Sequence, residues 1–235
     1  MKSSKTYYNN IADTYQNQAN SKIEYLNAVD DFIVSTMKEQ SVRNYLDIGT
    51  GDGRRAFKLI EAMGIGGDIV LVDDSGNMLS AIANHEKVTV FNDTIFNFKR
   101  DAKFQLVTCL WNVLGHLPSK IDRINLFKLV EAHLAPNGVF IFDVNNRYNT
   151  SYYGFKSVSN NLKKDHFNED NAGWFSLGDP PNETQVYIHS PFDIEEYIVS
   201  TDLVLEKTLY KDYITGEVRD TFFEGQLIYK LRKLK

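Results

Sequence analysis

Leu46-Asp47-Ile48-Gly49-Thr50-Gly51-Asp52-Gly53-Arg54 is the stretch that decides the fold. An apolar run leads into it and a helical pattern leads out, so its glycines sit where a strand turns into a helix. Glycine has no Cβ, which lets the backbone turn tightly there and approach a ligand closely. The segment departs from the dinucleotide fingerprint Gly-x-Gly-x-x-Gly, because the third position counted from Gly49 is Arg54. Arginine cannot supply the close helix–strand packing that the third glycine provides. No Gly-x-x-x-x-Gly-Lys-[Ser/Thr] phosphate loop occurs either. The loop suits a nucleoside-like ligand without a pyrophosphate.

Outward from this loop, short apolar runs alternate with helical patterns. The runs are Val42–Ile48, Ile69–Val72, Val88–Phe91, Phe104–Leu110 and Val139–Val144. They are mostly apolar rather than strictly alternating, as strands buried on both faces of a parallel sheet are. Arg54–Met63, Gly76–His85 and Ser119–Leu134 are helical in length and pattern, closed by turn signals such as Gly64 and Pro136-Asn137-Gly138. Upstream, Ser21 and Glu24 match a capping box opening a helix whose apolar face carries Ile23, Leu26, Val29, Phe32 and Ile33. Downstream, Pro191–Ser200 reads as a helix, and Leu203–Tyr213 with Phe222–Leu231 reads as a β-pair around Thr215-Gly216. The expected fold is α/β: a Rossmann-like, doubly wound, mostly parallel seven-stranded sheet with an antiparallel closing β-pair. Residues 145–190 are rich in Asn, Tyr, Gly and Pro with weak periodicity, and read as an inserted lid. The expected organisation is an arm and helix over 1–40, a ligand-binding core over 41–144, the lid over 145–190, and a closing unit over 191–235.

Asp47-x-Gly49-x-Gly51-x-Gly53 resembles the glycine motif of the class I S-adenosylmethionine-dependent methyltransferases. Two further segments extend the resemblance. Asp73-Asp74-Ser75-Gly76-Asn77-Met78-Leu79 is similar to that family's Asp-x-Ser-x-x-Met-Leu segment after strand two, and Asn92-Asp93-Thr94 follows strand three. The resemblance implies S-adenosylmethionine as cofactor. It implies that Asp47 orients the loop and the cofactor's amino group, and that Gly49, Thr50, Gly51 and Gly53 lie under the nucleoside. Asp73 would accept from both ribose hydroxyls, since a carboxylate offers two oxygens. Asn92, Asp93 and Thr94 would meet adenine, with Met78 near its ring. Asp74 departs from the family, which usually has an apolar residue there. A competing role for Asp73 is to cap the following helix.

The same resemblance directs attention to Leu110 and Trp111 at the end of strand four as cofactor neighbours, and to Asn112 as a substrate contact. His116 is a candidate base, as its ordinary pKa lies near neutrality. Tyr8 and Tyr15, in Tyr-x-x-Ile-Ala-x-x-Tyr, are similar to the segment that folds over the cofactor in many small-molecule methyltransferases, and Tyr15 is a second candidate for proton handling. Plain aromatic packing is the alternative for both tyrosines, and core packing for Trp111. Arg147, Trp174 and His189, within or bordering the insertion, are candidate substrate contacts.

Composition narrows the function classes. The 235 residues are 43% hydrophobic and carry a net charge of −5, which favours a folded domain and disfavours a surface built to grip phosphate backbones. Cys109 is the single cysteine and the five histidines are scattered, so neither a disulfide framework nor a metal site is expected. No run approaches the ~18 apolar residues of a membrane span, and the opening residues are polar; a soluble cytoplasmic protein, monomer or homodimer, is expected. Asp179-Pro180-Pro181-Asn182 resembles the Asp-Pro-Pro-Tyr motif of nucleic-acid amine methyltransferases, but it lies far from strand four and lacks the aromatic residue, so a turn is expected. The leading expectation is methyl transfer to an N or O nucleophile of a small molecule. The alternatives are a non-catalytic S-adenosylmethionine-binding regulatory protein, a methyltransferase acting on protein or RNA, and a nicotinamide-dependent oxidoreductase.

Overall fold

The computed structural model describes residues 3–38, 40–82 and 87–234. Its centre is a parallel sheet of β1 (Tyr45–Ile48), β2 (Ile69–Val72), β3 (Val88–Phe91), β4 (Phe104–Cys109) and β5 (Leu134–Val144). The helices are α1 (Ser4–Ile11), α2 (Tyr15–Asn20), α3 (Ile23–Met37), α4 (Arg54–Met63), α5 (Gly76–Leu79), α6 (Lys120–His133), α7 (Thr150–Tyr153), α8 (Phe155–His166) and α9 (Pro191–Ile198). A hairpin of β6 (Trp174–Asp179) and β7 (Asn182–Tyr187) stands apart, while β8 (Val204–Lys211), β9 (Val218–Arg219) and β10 (Gln226–Arg232) extend the main sheet. Its order is β3-β2-β1-β4-β5-β10-β8-β9, with β10 antiparallel to both β5 and β8.

Strand periodicity divides the core into two layers. Leu46, Val70, Val107, Phe140 and Phe142 pack on one side with Phe127 of α6 and Ile194 and Tyr197 of α9. Their alternates Tyr45, Ile69, Leu71, Leu106 and Ile141 pack on the other with Val29 and Ile33 of α3 and Leu59 of α4. Because β1 pairs with both β2 and β4, the chain reverses direction across the sheet at β1, and the glycine loop leaves its carboxyl end at that switch point.

Four expectations need correction. The main sheet has eight strands, not seven, because Val218–Arg219 folds back onto β8 before β10 enters between β5 and β8. Ser21 does not open α3: its hydroxyl donates to the Gln18 carbonyl at 2.7 Å, closing α2, and α3 starts after Lys22 without a side-chain cap. The helix expected over Gly76–His85 ends at Leu79, where the Ser80 hydroxyl takes the Asn77 carbonyl at 2.6 Å; Ala83–His85 lie outside the described residues. Residues 145–190, whose weak periodicity predicts no regular element, hold two helices and a hairpin. Pro180-Pro181 forms the hairpin turn, as expected. Among the described residues, no helix is long and apolar enough to cross a membrane.

Candidate active site

The turn from β1 into α4 is built on left-handed backbone: φ is +72° at Gly49, +59° at Gly51 and +76° at Gly53. Gly49 is the tightest, since a Cβ there would lie 2.4 Å from Val113 Cγ1. Gly49 and Thr50 donate their amides to the Val72 carbonyl, which binds the loop to the end of β2. Asp47 lies below the loop, buried, and accepts from the Thr108 hydroxyl; burial raises its pKa.

Asp73 rises beside the loop from the end of β2. One carboxylate oxygen accepts from the Gly51 amide at 2.8 Å and the other from the Ser75 amide at 2.9 Å. Burial pushes its pKa up to about 6, against the lowering effect of those two amides. The cap of α5 is Ser75, whose hydroxyl accepts from the Met78 amide, so the carboxylate faces the loop. Asp73, Asp74, Asp93 and Thr94 line one compartment with Gly49, and Ile95, Val113 and Leu117 supply its apolar wall. Burial also raises the pKa of Asp74. Asp93 is held by the Thr94 amide and the Asn97 side chain, which lower its pKa.

Beyond Gly51, a second compartment passes between Met78, Leu110 and Trp111. Trp111 and Asn112 follow β4 with φ of +58° and +61°, an uncommon backbone for residues other than glycine. Asp143, at the end of β5, holds this turn: its carboxylate accepts from the Trp111 amide at 2.7 Å and its carbonyl from the Asn112 amide at 3.1 Å. The Tyr25 hydroxyl donates to the same carboxylate. The Trp111 indole N–H donates to the Tyr213 hydroxyl at 3.0 Å.

Tyr8 and Tyr15 close the cleft from α1 and α2. The Tyr8 hydroxyl bonds His116 Nε2 at 2.9 Å, and the Tyr15 ring tilts against Trp111 at 5.6 Å. Burial lowers the His116 pKa to about 4, and its Nδ1 has no partner among the described residues. A third compartment lies past these rings, walled by Tyr213, Asn112 and Asn145 and by Leu177 and Val186 of the β6–β7 hairpin. Two anchors set α1 over the cleft. The Asn9 side chain accepts from the Ser75 hydroxyl and the Asn77 amide, and Asn10 donates to Asn182 at the hairpin turn.

The cleft therefore brings together Tyr8, Tyr15, Gly49, Gly51, Asp73, Asp74, Met78, Asp93, Thr94, Leu110, Trp111, Asn112 and His116. Asp47 and Gly53 support the loop from outside these walls, and Thr50 faces a neighbouring recess along α2 and α3. Asn92 is exposed and donates to the Asp73 carbonyl. The three candidates from the insertion lie elsewhere. Arg147 is buried and bonded to Asp165, Asp193 and the Ile188 carbonyl. Trp174 packs edge-on against Tyr187 and faces the Arg123 guanidinium. His189 is fully buried between Tyr187 and Tyr197, with its pKa lowered to about 3 by burial. None of the three lines the compartments described above; their side chains pack where the insertion meets the core. Sequence reasoning missed Ile95, Val113, Asn145, Leu177, Val186 and Tyr213. Asn145, directly after β5, was findable from its place at a strand's carboxyl end.

The methyltransferase-domain family matches residues 16–203 of this chain. Over 123 residues the chain is 32% identical to a glycine/sarcosine N-methyltransferase of Parasynechococcus marenigrum (strain WH8102), covering 49% of this chain and 43% of that protein. Over 134 residues it is 32% identical to a glycine/sarcosine N-methyltransferase of Aphanothece halophytica, covering 54% and 49%. The chain thus matches less than half the length of these curated relatives. In fold it is similar to an S-adenosylmethionine-dependent methyltransferase from Clostridium acetobutylicum ATCC 824, with a TM-score of 0.66 at 20% identity, covering 96% of this chain and 98% of that one. A glycine loop at the β1 switch point, an acid beside it and a family match across most of the chain agree, and the protein belongs to the class I S-adenosylmethionine-dependent methyltransferases.

Proposed function

We propose that this protein moves a methyl group from S-adenosylmethionine to the nitrogen of a small-molecule amine. The observation that carries this reading is the charge of the first compartment, where Asp73, Asp74 and Asp93 converge on the glycine loop. Two phosphates of a dinucleotide would meet three carboxylates there, whereas a nucleoside carrying a cationic sulfonium and ammonium meets favourable charge. The residues fit such a cofactor in shape as well. Gly49 and Gly51 hold backbone conformations that only glycine adopts without strain, and each oxygen of Asp73 keeps a lone pair for a ribose hydroxyl. When bound, S-adenosylmethionine supplies an electrophilic methyl carbon and keeps the C–S bonding pair as it becomes S-adenosylhomocysteine.

The chain's own residues position the partners. Trp111, Tyr8 and Tyr15 line both the second and the third compartment, where methyl donor and acceptor would meet, and alignment of the two is the main source of acceleration for a reaction of this kind. His116 favours nitrogen over oxygen as the nucleophile. With a pKa near 4 it is too weak a base to take a proton from an alcohol, but a neutral amine attacks without one and sheds its proton afterwards. Glycine and sarcosine, named for the relatives, enter as candidate acceptors. In this reading residues 41–144 hold the cofactor, 1–40 cover it, 145–190 form the substrate lid, and 191–235 complete the core sheet.

The test is turnover of S-adenosylmethionine with a panel of primary amines and matched alcohols. Formation of S-adenosylhomocysteine with an amine, and not with its matched alcohol, is expected. Turnover on alcohols alone would overturn the nitrogen assignment.

A further inference from the structure

Resting on the methyltransferase reading, we infer that the third compartment takes an amine with no carboxylate beside its nitrogen, held by aromatic faces and not by an ion pair. The rings of Tyr8, Tyr15, Trp111 and Tyr213 all line it. They are fixed against one another: Trp111 bonds the Tyr213 hydroxyl and tilts on Tyr15, and Tyr8 stands edge-on to Tyr15 at 6.2 Å. Ring faces carry negative potential and attract ammonium groups. The nitrogen that receives the methyl becomes cationic, so the same faces stabilise the charge as it arrives.

The polar atoms in the wall are neutral. Asn112 is already engaged, accepting from the Asn145 amide and donating to the Tyr187 carbonyl. His116 is uncharged at neutral pH. Among the described residues lining this compartment, none carries a charge. The cations around it are committed elsewhere. Arg147 is paired with Asp165 and Asp193. Arg123 donates to the Tyr197 hydroxyl and the Leu117 carbonyl and stacks on Tyr187. The Lys22 ammonium bonds the Tyr152 hydroxyl and sits 4.6 Å from the ring centres of Tyr152 and Tyr213. A carboxylate entering the compartment would lose its water and gain no counter-ion, which disfavours glycine and sarcosine against arylalkyl and alkyl amines. Lys22 also shows within the fold that the Tyr213 ring accepts a cation.

Calorimetric titration of the full chain saturated with S-adenosylhomocysteine tests this. The probes are 2-phenylethylamine, its N,N,N-trimethyl derivative, glycine and sarcosine. Both aromatic amines are expected to bind at least tenfold more tightly than either amino acid. Tyr213→Leu is expected to weaken the trimethylammonium probe about fivefold or more beyond any change in S-adenosylhomocysteine affinity, and Tyr213→Phe to keep the probe's affinity. Glycine or sarcosine binding as tightly as the aromatic amines, neither aromatic amine binding, or Tyr213→Leu leaving the trimethylammonium affinity unchanged would each overturn the inference. S-adenosylhomocysteine binding in that same experiment would leave the methyltransferase reading intact. Its failure to bind the wild type would remove both.

Discussion

At the scale of single residues, the proposed cofactor role of Asp73 makes binding depend on pH. Its pKa is raised to about 6 by burial, while ribose hydroxyls need the ionised form as acceptor. Affinity for S-adenosylhomocysteine should therefore be flat above pH 7 and fall below 6, to about tenfold weaker at pH 5, where only ~10% of Asp73 is ionised. Titrations of wild type and Asp73→Asn across pH 5–8 check this, and the variant's affinity should not follow that curve. The effect of the same group on folding has the opposite sign. A carboxyl raised in the native state contributes stability that is present below its ordinary pKa and lost as pH rises through about 6. His116 makes a contrasting prediction. Because burial holds its pKa near 4, it stays neutral from pH 5 to 9, and the rising limb of the rate profile should track the acceptor amine's own pKa. A His116→Gln variant should keep the position of that limb while lowering the rate; a limb that moved would assign the titration to His116. Gly49 is the residue where shape alone decides. Gly49→Ala combines a φ of +72° with a Cβ 2.4 Å from Val113 Cγ1, and should cost about 1–3 kcal/mol in urea unfolding and abolish measurable cofactor binding.

At the scale of elements, the insertion is where sequence reasoning and structure part most. Arg147 reads from sequence as a lone cation near a site, but it joins the start of the insertion to Asp165 in α8 and Asp193 in α9. Both acids follow Arg147 at a distance in sequence, and no local pattern announces the pairing. Removing the arginine leaves two carboxylates in a largely buried setting, so Arg147→Ala should destabilise the protein by about 3–5 kcal/mol, measured by urea unfolding. In whatever fraction remains folded, the affinity for S-adenosylhomocysteine should stay within twofold, since Arg147 does not line the cleft. The α8 helix went unread for a related reason: only Val158 and Asn161 of its residues are buried, too few to mark an apolar face. The glycine loop was legible because backbone demands leave few residue choices. The ends of β2 and β4 were legible because residues at strand termini beside a switch point are constrained by the ligand site. The contributions of Leu177, Val186 and Tyr213 depend on how distant segments fold together, which one-dimensional periodicity does not encode.

At the scale of the whole molecule, the proposed function divides one cleft into two differently made halves. The sheet builds the cofactor half: β1, β2 and the residues after β3 deliver an acid-lined pocket whose geometry follows from strand order. The covering segments build the acceptor half, with α1, α2 and the β6–β7 hairpin enclosing an uncharged, aromatic space. That division explains how the cofactor can be read from one segment of sequence while the acceptor is read from its surroundings. The central claim is that the acid beside the glycine loop holds S-adenosylmethionine. Calorimetric titration of wild type and Asp73→Ala with S-adenosylmethionine, S-adenosylhomocysteine and NAD tests it most directly. The account predicts that both sulfur ligands bind the wild type, that NAD does not, and that Asp73→Ala loses at least about tenfold, or ~1.4 kcal/mol. A wild type that binds NAD and neither sulfur ligand, or an Asp73→Ala variant that binds them undiminished, would contradict it.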